Sequence, residues 1–336
     1  MKSGFDKNMK KRTLADRLFQ PVAAILDKIY RKESSGINMR KKKRLIFYIL
    51  MMALPLIHFC VFYLAVNINS ILLAFKEYNI YTGKYSFVGF TNFIDVLSDF
   101  KGNGLLTFAL KNSFILLGFT VGVGITGSLV FSFYIHKKAP LNGVFQVMFF
   151  MPHIISSVVL VIIFKYFAEN AIPEVYFIIT GNRIEGLLYN EGTRFGTLIF
   201  YNVWIEFGMQ MLLYSGAMNG INESVIESSQ IDGCSLMSEF FHITLPLIYP
   251  TIVTFLVVKV AATFTNQLSL FSFYSIGAPP EVYTFGYYLY SAMKSNRTTI
   301  GDYPYLASLG LILTMVTIPV VLAFRKILEK AGPKTS

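Results

Sequence analysis

The chain has 336 residues, of which 54% are hydrophobic and only 15% are charged, and its mean hydropathy is +0.53. A soluble domain carries roughly 25% charged residues, and a soluble fold of this composition would expose large apolar patches, so the chain is predicted to be an integral membrane protein. Residues 1–44 hold 14 Lys and Arg and four Asp and Glu, which is +10 of the formal net charge of +11 and favours a membrane topology signal over nucleic-acid binding.

The chain begins with this basic segment, residues 1–44, immediately before the first long apolar run. Its charged part is longer than that of a secretory signal peptide, and the apolar run behind it is also longer, so we expect the segment to remain attached. Residues 13–30 place apolar side chains at helical spacing. That pattern leaves two possibilities open, a basic amphipathic helix lying on the anionic inner leaflet and a solvated tail.

Six apolar stretches follow, and each is long enough to cross a bilayer, which takes about 20 residues at 1.5 Å per residue. They cover residues 45–75, 112–136, 139–164, 195–217, 245–268 and 303–324. Glu206 interrupts the fourth stretch, and Lys259 interrupts the fifth. The predicted fold is therefore an all-α integral membrane protein, with six transmembrane helices in residues 45–326 and a tail at residues 327–336.

The distribution of basic residues predicts how these helices are oriented. With the amino end inside, residues 1–44, residues 136–143 and the tail from Arg325 hold 14, two and four Lys and Arg, which is 20 of the chain's 30. Cytoplasmic loops of membrane proteins carry such an excess. An even number of spans puts both ends on one side, so both termini are predicted to be cytoplasmic.

One predicted cytoplasmic loop, residues 218–246, is acidic and contains no Lys or Arg. Asn222 is suited to cap a short helix whose first turn holds Glu223, and Gly233 to end that helix in a left-handed conformation. Glu223 and Glu227 are four residues apart and share one face of the helix. The acidic face predicts docking into a basic groove of a partner, and the alternative is an ordinary solvated loop.

The same loop carries a spaced motif, with Glu227, Gly233, Ile243, Leu245 and Pro246 at its fixed positions. It resembles the EAA signature of permease subunits in binding-protein-dependent ABC importers, with Ser228 and Ser229 in place of two alanines. Residues 149–156, 204–208 and 231–234 are similar to segments of the carbohydrate permeases related to the maltose system. The resemblance covers about residues 105–326 and leaves residues 1–44 outside.

The resemblance implies the type I ABC importer permease fold in a bacterial cell membrane. It implies three kinds of partner besides lipid: a second homologous permease that forms a heterodimer, two ATPase subunits that use ATP and Mg, and an extracellular solute-binding protein. The chain itself would bind no cofactor, and its loop would dock in a cleft of the ATPase. The candidate coupling residues are Glu223, Glu227, Ser228, Ser229, Asp232, Gly233, Ile243, Leu245 and Pro246.

Ionisable and polar residues inside the spans are candidates for the solute pathway. Charged side chains within a membrane are costly and are usually functional or paired, so Glu206 and Lys259 are expected either to pair or to face an aqueous pathway. A sugar offers hydroxyl groups and apolar ring faces, which amides and aromatic rings suit. The further pathway candidates are Gln210, Asn266, Gln267 and Phe271, while Phe273 and Tyr274 fit an interfacial aromatic belt equally well.

The sequence contains less support for other functions. There is no Walker A pattern, and the GxGxxG match at residues 122–127 lies inside a span, where Gly124, Ser128 and Ser132 predict close helix packing instead. Two Cys and four His without ligand spacing predict no metal site, and no catalytic group of residues is evident. An ion-coupled secondary transporter remains the alternative function, ahead of a membrane enzyme.

Overall fold

The computed structural model describes residues 36–102, 104–295 and 299–333. The stretch at residues 13–30, most of the basic segment 1–44 and the last three residues of the tail lie outside the described residues. The described part is helical apart from one hairpin and the connecting loops. The chain divides into two compact units, residues 1–69 and residues 70–336.

The described part of the first unit is a continuous helical run. Helix α1 (Gly36–His58) begins among the basic residues and continues through a π-helical stretch, Phe59–Ala65, into α2 (Val66–Leu73). From Lys41 to Leu73 this run is long and apolar enough to cross a membrane. It agrees with the predicted first span at residues 45–75. Apolar side chains on all sides of a helix are typical of such a span.

The second unit opens with a hairpin in which β1 (Lys76–Asn79) pairs antiparallel with β2 (Lys84–Phe87). The turn forms because the Asn79 Oδ1 atom accepts two backbone N–H groups, at 2.9 and 3.1 Å, and because Gly83 has a φ of +65° that glycine adopts without a steric penalty. The hairpin corrects the all-α prediction. Its strands are only four residues long, so the sequence pattern did not distinguish them from a loop.

The rest of the second unit is a set of helices. They are α3 (Thr91–Gly102), α4 (Gly104–Phe119), α5 (Thr126–His136), α6 (Asn142–Ile154), α7 (Ser157–Tyr166), α8 (Ile172–Thr180), α9 (Glu191–Asn219), α10 (Glu223–Ile231), α11 (Leu236–Glu239), α12 (Leu245–Ala261), α13 (Leu270–Tyr274), α14 (Phe285–Lys294) and α15 (Tyr303–Ala331). The π-helical stretches Thr120–Ile125, Phe167–Ala171 and Phe240–Thr244 join α4 to α5, α7 to α8 and α11 to α12. Short 3-10 turns occur at Pro280–Val282 and Ile300–Asp302.

Four helical runs of the described residues are long and apolar enough to cross a membrane. They are Lys41–Leu73, Gly104–His136, Leu236–Ala261 and Ile300–Ala331, and a bent pair of helices brings the number to five. The predicted fourth span lies within α9, which is 29 residues long. It is not among these runs, because Asn202, Glu206 and Gln210 lower the apolar character of its middle.

The bent pair occupies the predicted third span, which is therefore not one helix over residues 139–164. The runs Asn142–Ile154 and Ser157–Thr180 meet at an angle of 110°, and Ile155 and Ser156 between them have ψ values of 141° and 130°. The break follows Pro152, whose ring removes one backbone N–H from the helix. The uncharged sequence predicted the membrane character of this stretch but not its bend.

Helix α9 packs against α5 through the small residues predicted to allow close contact. The Ser132 hydroxyl donates to the Met211 carbonyl oxygen at 2.8 Å, Ser128 is fully buried, and a Cβ atom at Gly124 would lie 3.6 Å from Val203. Small side chains let helix backbones approach closely in lipid. The GxGxxG match is thus part of a helix. Its Gly124, together with Ser128 and Ser132 just beyond the match, forms the interface with α9.

An adjacent side of α9 makes a still closer contact with α6. A Cβ atom at Gly208 would lie 2.1 Å from the Phe149 carbonyl oxygen and 2.7 Å from its carbon. Any larger residue would force the two backbones apart. Two of the family-like segments, residues 149–156 and 204–208, are therefore direct packing partners.

The loops of the second unit gather at two opposite ends of the helices. At one end, which we call the loop end, His136 Nδ1 lies 2.8 Å from Asn219 Oδ1, and the Tyr249 hydroxyl donates to the Leu328 carbonyl oxygen at 2.8 Å. Residues 136–142, residues 218–246 and the end of α15 meet there. These are the segments of the second unit that the basic residues predicted to share one side.

The other end is the hairpin end. The Asn112 side-chain amide donates to the carbonyl oxygens of Glu281 and Tyr283 at 2.7 and 2.9 Å, and Arg194 forms an ion pair with Glu281. The Tyr305 hydroxyl donates to Asp99 at 2.7 Å. Each of these contacts joins loops or helix ends on the side that the predicted topology places outside.

Candidate functional site

The acidic loop folds around a short, exposed helix, α10. The Asn222 side chain accepts from the Ser224 N–H at 3.1 Å and caps its start, as the sequence predicted. At its other end Gly233 has a φ of +78°, the left-handed conformation expected of a helix stop. The Ser228 hydroxyl donates to the Ser224 carbonyl oxygen at 2.7 Å, within the same helix.

The loop helix presents its charges to solvent. Glu223, Glu227 and Asp232 are exposed, and no ion pair within the described part of the chain neutralises them. Ile231, at the end of the helix, is 86% exposed, whereas Ser229 is buried. A helix with an acidic face and an exposed apolar end is suited to dock on a partner.

The closing residues of the motif lie where the loop re-enters the helical bundle. Ile243, Leu245 and Pro246 are partly buried, and they span the junction between the π-helical stretch Phe240–Thr244 and α12. Pro246 occupies the first turn of α12, directly after the π-helical stretch, within a helical run that is continuous from Leu236 to Ala261. These residues therefore connect the exposed helix α10 to a predicted membrane span.

In the sequence, Glu239 is one of four acids of the loop and its charge does not distinguish it from the others. Its side chain is only 1% exposed and forms an ion pair with Lys137, which ends α5 and is 17% exposed. A second buried pair thus lies at the loop end. The burial could be suspected only from the apolar residues that flank Glu239 on both sides, Leu236 to Met237 and Phe240 to Phe241.

The two charged residues inside the predicted spans pair with each other. Lys259 Nζ lies 2.5 Å from Glu206 Oε2, and the side chains are 17% and 27% exposed. Glu206 is in the middle of α9, and Lys259 is near the end of α12. The contact places both residues at the same depth. The sequence left open whether they pair or face an aqueous pathway, and the structure has them paired.

The pair lines a small cavity of about 40 Å³ together with Ser113, Thr120 and Asn266. That volume has room for about two water molecules. The Thr120 hydroxyl is buried without a hydrogen-bond partner among the described residues, so the cavity wall offers polar groups that are not used elsewhere. Ser113 and Thr120 were missed from sequence, although their seven-residue spacing puts them on one helix face.

The remaining pathway candidates do not all reach this cavity. Gln210 lies one turn beyond Glu206, is 5% exposed, and has an unpartnered side-chain oxygen among the described residues. Gln267 is partly buried in the loop after α12. Phe271 packs edge-on against Tyr290, with ring centroids 4.9 Å apart, so it belongs to the packing at the hairpin end.

The aromatic residues near the hairpin end are mostly structural. Phe273 is buried and packs against Tyr201, with ring centroids 4.8 Å apart, so it does not belong to an exposed aromatic belt. The Tyr287 hydroxyl donates to the Ser275 carbonyl oxygen at 2.8 Å, and burial raises the pKa of Tyr287. It therefore stays a hydrogen-bond donor at physiological pH.

Comparison with known proteins places this geometry in a family. Residues 118–331 match the family described as the inner membrane component of binding-protein-dependent transport systems, and they include the acidic loop and the mid-span pair. The chain belongs to this family. It is the membrane component of a transport system, in which ATP hydrolysis is the task of a separate subunit.

Relatives within the family agree with this assignment. The arabinooligosaccharides transport system permease protein AraP of Bacillus subtilis is 23% identical over 273 residues, which cover 80% of this chain and 84% of AraP. The multiple sugar-binding transport system permease protein MsmF of Streptococcus mutans is 24% identical over 270 residues, which cover 78% of this chain and 88% of MsmF.

A solved structure shows the same fold. A chain of a bacterial ABC transporter involved in the import of the acidic polysaccharide alginate aligns with a TM-score of 0.71 and 21% identity. The alignment covers 89% of this chain and 100% of that chain. The chain therefore has the fold of a bacterial ABC importer permease.

Proposed function

We propose that this chain is one permease subunit of an ATP-driven importer that carries a carbohydrate across the bacterial cell membrane. The observation that carries the proposal is the family match over residues 118–331, which encloses the exposed acidic helix α10. The relatives are named for arabinooligosaccharides and for multiple sugars, which supports a carbohydrate as the solute. The family match leaves an ion-coupled secondary transporter without support.

We further propose that the chain crosses the membrane six times and has both termini in the cytoplasm. The fourth crossing would be α9, and the third would be the bent pair of α6 and α7. Support comes from the loop end, where the basic turn at Lys137 and Lys138, the acidic loop and the end of α15 meet. Residues 1–44 would form a basic cytoplasmic segment, and residues 327–336 a cytoplasmic tail.

The proposed assembly contains a second, homologous permease subunit, two ATPase subunits and an extracellular solute-binding protein. A transporter structure similar to this chain is described in complex with a periplasmic protein that holds an alginate pentasaccharide, which supports the last of these partners. ATP and Mg would be used by the ATPase, and the permease would supply no cofactor site of its own.

Coupling to the ATPase would occur through the loop helix. Glu223, Glu227 and Asp232 are exposed and have no ion-pair partner within the described part of the chain, so a basic groove on the ATPase could neutralise them without breaking an existing contact. Gly233 turns the chain sharply away from the groove. Movement of the docked helix would then pass through Leu245 and Pro246 into α12.

The solute pathway would run past the Glu206–Lys259 pair. The pair is half-way along α9, beside a polar cavity whose wall includes Thr120 and Asn266. Hydroxyl groups of a sugar hydrogen-bond readily to such groups. Alternation between inward-facing and outward-facing states requires two conformations that bind the partners differently. A charged pair between two helices is able to form in one of these states and to separate in the other.

Purification and reconstitution test the proposed function. Tagged chain, expressed with the genes of its transport system, should bring down a second permease and an ATPase. In proteoliposomes that contain the complex and the binding protein, sugar uptake should require ATP and Mg. Uptake driven by an ion gradient in the absence of ATP would instead establish a secondary transporter.

A further inference from the structure

The buried ion pair at the loop end calls for an explanation that the proposed docking of α10 does not supply. Glu239 is 1% exposed, and Lys137 is 17% exposed. Removing a carboxylate from water is costly unless it is paired in good geometry. The pair joins α11, in the acidic loop, to the end of α5, more than one hundred residues earlier in the chain.

The surroundings of the pair make this a stiff contact. The Lys137 Nζ atom also lies 5.6 Å from the centre of the Phe133 ring, a cation–π distance. Phe133 in turn packs on Phe240, with ring centroids 4.8 Å apart. Charge and aromatic packing therefore connect the same two segments side by side.

Within the described residues the loop has one other polar contact with the end of α5, between His136 Nδ1 and Asn219 Oδ1 at 2.8 Å, and it lies at the start of the loop, ahead of α10. In α10 only Ser229 is buried, whereas Glu239, Phe240 and Thr244 just after it are all buried. Phe240 and Thr244 lie in the π-helical stretch that continues into α12. The loop is thus joined covalently to α12 and through Lys137–Glu239 to α5.

We propose that Lys137 and Glu239 are positioning residues that fix the acidic loop to α5, so that displacement of the loop moves α5 together with α12. Without the pair, the docked ATPase would still move α12, but α5 would lag behind. ATP hydrolysis would then continue with less transport. The proposal rests on the proposed function, because it assigns a role in coupling to an ATPase.

The test compares charge-reversed variants with their double swap in the reconstituted complex. K137E and E239K should keep the ATPase bound, because the Glu227 face is unchanged, but should transport about tenfold less sugar per ATP hydrolysed. The swap K137E/E239K should recover most of the loss. The matched control is K138E, which makes the same charge reversal at the exposed neighbour and should behave as the wild type.

Two results would overturn the proposal: an unchanged transport-to-hydrolysis ratio in the single variants, or a swap that is no better than they are. Hydrogen exchange tests the attachment itself without transport. Amides of residues 235–244 should exchange about tenfold faster in E239K than in the wild type or K138E, and E239Q serves if E239K does not assemble. Equal exchange rates would refute the attachment, whereas failure of the wild type to import sugar would refute the proposed function.

Discussion

Two ion pairs of this permease have the same chemistry and different surroundings. Lys259 and Glu206 meet in the middle of the helices, remain 17% and 27% exposed, and border a polar cavity. Lys137 and Glu239 meet at the loop end, where the carboxylate is almost completely buried beside two packed phenylalanine rings. The first pair borders a cavity with room for about two water molecules, and the second is shielded from solvent. Burial, more than charge, distinguishes the proposed pathway role of the first pair from the proposed positioning role of the second.

The largest expected effect is at the mid-span pair. Lys259→Glu puts two carboxylates side by side inside a span, and the loss of one partner from a buried pair costs about 3 kcal/mol or more. We expect uptake by the reconstituted complex to fall about a hundredfold, and Glu206→Lys to behave alike. The double swap should restore uptake in part, and a swap without any restoration would argue against direct pairing.

A second prediction tests the packing of α9 against α6, rather than a charge, in the same region. Gly208→Ala introduces a Cβ atom 2.1 Å from the Phe149 carbonyl oxygen, so α9 and α6 must move apart at a cost of about 2 kcal/mol. Thermal unfolding in detergent should show the loss. Gly216→Ala in the same helix meets nothing within 4 Å and should not lower stability, because alanine favours a helix over glycine. Equal melting of both variants would mean that this contact does not limit stability.

The third prediction concerns the exposed face of the loop. Glu227→Lys should weaken retention of the ATPase about tenfold, because a basic groove would then face a like charge, while the Lys137–Glu239 pair stays intact. Quantified co-purification measures the loss. Glu185→Lys makes the same charge change at the hairpin end and should retain the ATPase. If both variants keep it equally, the loop is not the docking surface.

The smallest expected effect is at the cap of the loop helix. Asn222→Ala removes the side-chain acceptor of the Ser224 N–H and should destabilise α10 by about 1 kcal/mol. Hydrogen exchange over residues 223–231 should rise about fivefold, without a change over residues 235–244. Ser228→Ala, which loses only a bond within the helix, should exchange as the wild type does.

The sequence was sufficient for features that depend on local chemistry. The Asn222 cap and the left-handed Gly233 are local, and both were predicted and found. Charges inside apolar stretches predicted that Glu206 and Lys259 would need each other or water, because a lone charge in a span is too costly. The number of spans stays a prediction beyond the four or five supported by length and composition.

Features that depend on tertiary contacts could not be predicted in this way. Glu239 carries the same signal as its exposed neighbours, and only the approach of Lys137 from a distant segment makes its burial tolerable. The 110° angle between the two halves of the third stretch is a property of the folded chain that an uncharged run of residues does not encode, and four-residue strands give too short a pattern to recognise. The edge-on contact of Phe271, a predicted pathway residue, with Tyr290 likewise depends on a distant segment of the chain.

The hairpin has a consequence for how chains of this fold can change in length. The described hydrogen bonds of its tip are those of its own turn, and Tyr81 there is 98% exposed, so added residues would disturb none of these described contacts beyond the turn. Each doubling of such a loop costs only about 0.6 kcal/mol. Residues 218–246 have no such freedom, because a single insertion between Gly233 and Glu239 would move the carboxylate away from Lys137. We therefore expect insertions, including whole domains, to leave the fold intact at the hairpin and to break the Lys137–Glu239 contact in the acidic loop.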